Sequence, residues 1–196
     1  MEATVLLVDD DRAVREGLAR LLRSAGWNSR AFASAQEFIH ELPFTGVGCL
    51  VLDVSMPGMS GPELQDWLLS HHCEMPIIFL SARCDVPMSV AAMKHGAIDV
   101  LEKPADDVVL LEAISNAVER HRQELDRRGN RLGVEQRLAT LTARERQVLA
   151  QVSLGRLNKQ IAFDLGIAEK TVKVHRGRAM TKMGVRSAAA LVHLFE

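Results

Sequence analysis

Residues 49–58, CLVLDVSMPG, decide how the rest of the chain is read. Cys49 to Leu52 is an unbroken apolar run of strand length, which marks a strand buried on both faces. Asp53 follows it directly, and Met56-Pro57-Gly58 then turns the chain. In an open parallel sheet the carboxyl ends of the strands border the ligand crevice, so a carboxylate there is placed to bind or to react. An aspartate that ends a strand only because turns favour it has the same local signature. The neighbouring elements decide between the two.

Four further apolar runs flank this one: Val5 to Val8, Ser29 to Ala33, Ile77 to Leu80 and Ile98 to Leu101. They alternate with helical patterns over Arg12 to Ala25, Ala35 to Leu42, Pro62 to His72, Pro87 to His95 and from Asp106 onward. In the first of these, Val14, Leu18, Leu21 and Leu22 recur at helical spacing and Gly26 is a stop signal, while Pro62 and Pro87 suit a first helical turn. The alternation predicts an α/β doubly wound (βα)5 domain with a five-stranded parallel sheet. Right-handed crossovers then carry all the strand ends to one edge. That edge collects Asp9, Asp10 and Asp11 from the first strand, Asp53 from the third, Ser81 from the fourth and Lys103, before Pro104, from the fifth. Converging carboxylates repel one another, and a hard divalent cation with oxygen ligands relieves this; Mg2+ suits one or two carboxylates plus a phosphate oxygen. A hydroxyl and an ammonium in the same crevice complete a phosphoryl-binding set.

The net charge of −1 conceals a division. Residues 1–118 hold 17 acids against 8 Lys and Arg, and residues 119–196 hold 8 acids against 16. An acidic half with clustered carboxylates points to a cation, and a basic half to a polyanion, most often nucleic acid. No apolar run approaches the ~20 residues of a membrane span, and the first residues carry acids where a signal peptide has a basic end, so a cytoplasmic protein is expected. Three cysteines, Cys49, Cys73 and Cys84, are odd in number and lack ligand spacing, which argues for ordinary thiols. His71-His72-Cys73 is a poor metal set, because adjacent residues on a helix point in different directions.

With these residues in place, positions 1–120 resemble a bacterial two-component receiver domain, and DVPMSVAAMKHGAIDVLEKP, 85–104, resembles the FixJ branch. The resemblance implies that Asp53 accepts a phosphoryl group from a sensor histidine kinase. It also implies that Asp9, Asp10, Asp53 and the carbonyl of Ser55 hold Mg2+, that Ser81 and Lys103 contact the phosphoryl oxygens, and that the Lys103-Pro104 bond is cis. Receivers often carry Tyr or Phe three residues before the lysine; here Val100 stands there, so aromatic rotation is unavailable as a switch. Ser55 is small where many relatives carry a longer polar side chain. It also stands where an Mg2+-dependent aspartyl-phosphate hydrolase of the dehalogenase-like class carries its second aspartate, which weighs against that enzyme reading.

Past Val108, the stripe of Leu111, Ile114 and Val118 thins to Leu125 while charge accumulates in ERHRQELDRRGNR, 119–131. Residues 121–137 are therefore predicted to be a helical linker, either solvated between domains or extending a dimer contact, and an extended last receiver helix is favoured. Gly129-Asn130 and Gly133 predict a break in it, and Leu132, Val134 and Leu138 form a short apolar set able to dock onto either domain.

From residue 138 to 196 the pattern is helical throughout. Thr142 with Glu145 makes a capping box for a helix through Leu154 with Val148, Leu149 and Val152 inward, and Gly155 stops it. Asn158 is read as the cap of a short helix with Ile161, Ala162 and Leu165 inward, Gly166 turns the chain, Glu169 to Met183 forms a basic helix, and Ser187 to Leu194 closes the bundle. Two helices across a tight glycine turn, the second basic, form a helix-turn-helix. LTARERQVL, 141–149, and NKQIAFDLGIAEKTVKVHRGRAMTKMGVRS, 158–187, resemble the LuxR-type DNA-binding domain. That resemblance places Lys170, Thr171, Lys173, Val174, Arg176 and Arg178 on or near the groove-facing side of the recognition helix, with Asn158 and Lys159 at phosphates. His175 is read as a packing or phosphate-contacting residue. Gly177 either permits close approach of backbone to DNA or removes one base contact.

Together the two resemblances imply a phosphorylation-controlled transcriptional regulator rather than an enzyme acting on outside substrates. Its expected partners are a histidine kinase, double-stranded promoter DNA, a second copy of itself when phosphorylated, and RNA polymerase, with no membrane contact. The competing expectation is a constitutive DNA-binding protein whose receiver serves only as a dimerisation scaffold.

Overall fold

Strand β3 (Gly48–Asp53) is buried at all six positions, as its unbroken apolar run requires. In the computed structural model, which describes residues 3–83 and 86–194, it is the centre of a five-stranded parallel sheet. Cys84 and Asp85 lie outside the described residues. The other strands are β1 (Thr4–Val8), β2 (Asn28–Phe32), β4 (Ile77–Ser81) and β5 (Asp99–Glu102), in the order β2-β1-β3-β4-β5. Every pairing is parallel, and the registers Val8↔Leu52, Asp53↔Leu80 and Ser81↔Glu102 align the carboxyl ends.

Helices α1 (Arg12–Ser24), α2 (Ala35–His40), α3 (Gly61–Ser70), α4 (Val86–Lys94) and α5 (Asp107–Ala139) follow the strands in turn. Alternate side chains of each strand point to opposite faces, so the sheet divides the core in two. Leu6, Val8, Leu50, Leu52 and Phe79 pack with Phe38 of α2, Leu64 and Leu68 of α3 and Ala92 of α4. Val5, Leu7, Cys49, Val51, Ile78 and Leu80 pack with Leu22 of α1 and Leu110, Ile114 and Val118 of α5. Burial pushes the Cys49 thiol up to about 12, which keeps it protonated and inert.

The chain forms two compact units, Met1–Leu125 and Asp126–Glu196. The predicted break at Gly129-Asn130 and Gly133 is not present: α5 continues through all three to Ala139. A glycine in a helix costs only about 1 kcal/mol, and the end of this helix is held by Val134 and Leu138 packing into the core of the second unit. That core joins α6 (Ala143–Ser153), α7 (Asn158–Leu165), α8 (Glu169–Met183) and α9 (Ala188–His193) around Val148, Leu149, Ile161, Val172, Ala179 and Leu191. Thr142 and Glu145 form their capping box. A second correction concerns α7, whose cap is Leu157, not Asn158. The Leu157 N–H donates to Gln160 Oε1 at 2.9 Å, which satisfies one end group of the helix without a polar cap side chain and leaves Asn158 as its first residue. Gly166 (φ 62°) and Gly184 (φ 72°) end α7 and α8 in the left-handed conformation that favours glycine. Among the described residues no helix is long and apolar enough to cross a membrane.

Candidate functional site

At the carboxyl edge of the sheet, Asp9, Asp10 and Asp53 each offer a carboxylate oxygen, all within 4.8 Å of one another. Asp9 and Asp53 are buried and Asp10 is exposed. Lys103, just past β5, reaches into the cluster: its Nζ lies 2.6 Å from Asp9 Oδ2 and 2.9 Å from Asp53 Oδ1. Burial holds the Asp53 carboxyl above its usual range, outweighing the ammonium of Lys103 and a hydrogen bond from the Ser55 backbone N–H. For Lys103 burial acts to lower the pKa, but its bonds to Asp9 and then Asp53 prevail and raise it. Among the described residues, three carboxylates thus face the ammonium of Lys103, and an all-oxygen, net-negative donor set of this kind fits a hard divalent cation. Among the described residues, Asp9, Asp10 and Asp53 are the side chains able to hold it.

Three successive aspartates have three different roles. Asp9 Oδ1 accepts the Asp11 N–H at 2.9 Å while Oδ2 meets Lys103. Asp10 stands at the surface of the cluster. Asp11 caps α1, its Oδ1 accepting from Ala13 N at 2.7 Å and Val14 N at 3.4 Å. Asp11 therefore belongs to the helix rather than to the acidic pocket.

Ser81 is buried at the end of β4, one position past the Asp53 partner Leu80. Its hydroxyl donates to the Arg83 carbonyl at 2.8 Å and accepts the Arg83 N–H at 3.3 Å, so it is engaged with its own loop. Ser55 is exposed, and its N–H is the group that meets Asp53. Val100 is half-buried against the core. The Lys103-Pro104 bond is cis.

Sequence reading missed two residues that shape this site. Gly61, the first residue of α3, lies so close to β3 that a Cβ there would stand 2.3 Å from the Asp53 carbonyl oxygen and 3.0 Å from the Phe79 ring. Arg15 of α1 donates from Nη1 to the carbonyl oxygens of Asp9 (2.6 Å) and Asp10 (2.9 Å). Proximity in chain to the DD pair was the one signal for Arg15; Gly61 had none beyond the glycine itself.

In the second unit, Lys170, Lys173, Val174 and Arg178 are exposed along α8, and Thr171 and Arg176 are half-buried. Lys173 pairs loosely with Glu169 at 3.7 Å. Arg176 Nη1 donates to Asn158 Oδ1 at 2.9 Å, tying the start of α7 to the middle of α8. Lys159 is exposed beside it. The helix-turn-helix thus presents a mostly exposed basic face on a closed apolar core, which is the arrangement a phosphate backbone and groove require.

Residues 5–115 match the family described as response regulator receiver domain, and residues 139–195 match the bacterial regulatory proteins of the luxR family. Nodulation protein W of Bradyrhizobium diazoefficiens is 42% identical over 195 residues, spanning 100% of this chain and 86% of that protein. Transcriptional regulatory protein FixJ of Azorhizobium caulinodans is 43% identical, spanning 97% of this chain and 90% of that one. Among solved structures, the response regulator StyR superposes with a TM-score of 0.90 at 48% identity, covering 100% of this chain and 98% of that one.

Proposed function

Because this chain belongs to the response regulator family, joining a receiver to a LuxR-type DNA-binding domain as two-component transcriptional regulators do, we propose that Asp53 accepts the phosphoryl group that controls it. The observation that carries this reading is the meeting of Asp53 with Lys103, Asp9 and Asp10 at one edge of the sheet. Asp53 Oδ attacks the phosphorus of a phosphohistidine on a sensor kinase; the O–P bond forms as the P–N bond breaks, and the imidazole leaves with the electron pair. Asp9, Asp10, Asp53 and the Ser55 carbonyl would hold Mg2+, which would supply positive charge to offset that of the transferring group. Lys103 and the Ser81 hydroxyl hold the phosphoryl oxygens. The chain acts on no outside substrate in this reading; it promotes only its own phosphoryl transfer and loss.

Phosphorylated side chains carry about −1.5 to −2 charges at neutral pH. That charge draws Lys103 further from Asp9, and it draws the Ser81 hydroxyl off the Arg83 carbonyl, which shifts the loop leading to α4. On α4, Val86, Val90 and Met93 are exposed at helical spacing, a stripe that supports self-association of the phosphorylated form. A homodimer sets two recognition helices on paired half-sites in promoter DNA. Asn158, Lys159, Lys170, Thr171, Lys173, Val174, Arg176 and Arg178 are the proposed contacts. RNA polymerase is the further proposed partner, and the cytoplasm the proposed compartment. The constitutive reading retains one supporting observation, Val100, since no aromatic ring is present there to turn with Ser81.

Labelling tests the acceptor. Incubation with a radiolabelled small phosphodonor and Mg2+ is expected to label the wild type and not Asp53→Asn; label on the mutant would place the acceptor elsewhere.

A further inference from the structure

We propose that Arg15 is a positioning residue for the divalent cation, holding the main chain of Asp9 and Asp10 so that their carboxylates stay beside that of Asp53. This rests on the reading of the acidic pocket as a cation site. Arg15 lies on the first turns of α1, five and six residues past the two acids, and one nitrogen, Nη1, donates to both carbonyl oxygens at 2.6 and 2.9 Å. Both bonds go to carbonyl oxygens rather than carboxylates. The guanidinium therefore brings positive charge to the loop without occupying the oxygens that a cation needs.

The geometry of the loop explains why such a tether is required. Asp9 and Asp10 are adjacent and both lie near Asp53, so without a cation their charges repel and favour a spread loop. Lys103 restrains Asp9 through its carboxylate. Asp10 is exposed, and Arg15 binds its carbonyl back to α1. The base of the tether is itself fixed, because the Arg15 N–H donates to the Asp11 carbonyl at 3.1 Å and the Asp11 side chain caps the same helix. The loop is thus clamped from both directions. Groups that orient metal ligands without touching the metal commonly change affinity about 10- to 100-fold when removed.

Calorimetric titration of the full chain with MgCl2, in the absence of any phosphodonor, tests this. Arg15→Ala is expected to bind Mg2+ about 10- to 100-fold more weakly than wild type. Arg15→Lys, which keeps the charge and has donors able to reach one carbonyl, is expected to fall between them. Phosphorylation by a small phosphodonor is expected to slow in Arg15→Ala at low Mg2+ and to recover at saturating Mg2+, a split that general loss of structure does not produce. Wild-type affinity in a folded Arg15→Ala overturns the inference, as does an equal loss of rate at every Mg2+ concentration. If Arg15→Ala does not fold, Arg15→Lys and Arg15→Gln carry the comparison, and wild-type affinity in both overturns it. Absence of Mg2+ binding by the wild type itself would remove the cation reading and the inference together, an outcome distinct from a failure seen only in the variants.

Discussion

The ammonium of Lys103 lies 2.9 Å from Oδ1 of Asp53 across the mouth of the sheet, and only a fifth of the lysine side chain is exposed. Without a cation, Lys103 is the charge that compensates two buried carboxylates, since it also meets Asp9. Breaking a buried pair by removing one partner costs about 3–5 kcal/mol. Lys103→Met is therefore expected to lower the stability of the Mg2+-free protein by about 3 kcal/mol and to regain part of it with Mg2+, which supplies the missing charge. Urea unfolding with and without Mg2+ checks this; wild-type stability in the metal-free variant would show that the pair does not hold the pocket together.

Gly61 is required by space rather than by conformational freedom. A methyl group there meets the Asp53 carbonyl oxygen at 2.3 Å, and main chain yields less readily than a flexible side chain. Overpacking of this kind costs typically 1–3 kcal/mol. Gly61→Ala is expected to lose about 2 kcal/mol and, by displacing Asp53, to slow phosphorylation at saturating Mg2+. Thermal unfolding and single-turnover labelling measure the two effects.

Stability of the second unit is expected to depend on Glu145. Its hydrogen bond from Lys182 (2.7 Å), and after that the Thr142 backbone N–H, hold the carboxyl below the usual range. A folded value below the unfolded one means that the contribution is fully present above the unfolded pKa of ~4.3 and is lost as pH falls through the folded value. The stability difference between wild type and Glu145→Gln should thus be constant above about pH 5 and shrink below pH ~4.3. Urea midpoints followed by helical circular dichroism report it, and a difference that grows on acidification would reverse the assigned sign.

Gly177 lies inside α8, and apart from its own stretch of helix nothing lies within 4 Å of where a Cβ would stand. Gly177→Ala is expected to stabilise the DNA-binding domain by about 1 kcal/mol, the ordinary gain in helix propensity. The same variant separates the two readings of this position. Retained DNA affinity indicates a missing base contact, whereas lost affinity with raised stability indicates close backbone approach to the duplex.

Most of this architecture was legible because burial imposes periodicity. The apolar run at 49–52 located the central strand, and the Thr142–Glu145 pair marked a helix start through its own hydrogen bonds. The polar strand ends were legible because parallel topology leaves them one edge to occupy. Gly129 and Gly133 misled, because the cost of two helical glycines is small beside the docking of Val134 and Leu138. Asn158 misled because the cap of α7 is satisfied through Gln160 instead. The roles of Arg15 and Gly61 escaped the sequence for a common reason: each meets main-chain carbonyl oxygens, which every residue carries and no side-chain pattern records, so nearness to Asp9 and Asp10 was all that pointed to Arg15. The turn of the Ser81 hydroxyl toward Arg83 is likewise a property of the folded loop.

Control of DNA binding by the state of Asp53 is the central claim, and the affinity of the full chain for its promoter DNA with and without the phosphoryl mimic beryllofluoride, in Mg2+, tests it most directly. The expected result is tighter binding with beryllofluoride in the wild type and no change in Asp53→Asn. Equal affinities in the wild type, with beryllofluoride shown to be bound, would contradict it and leave the receiver as a scaffold.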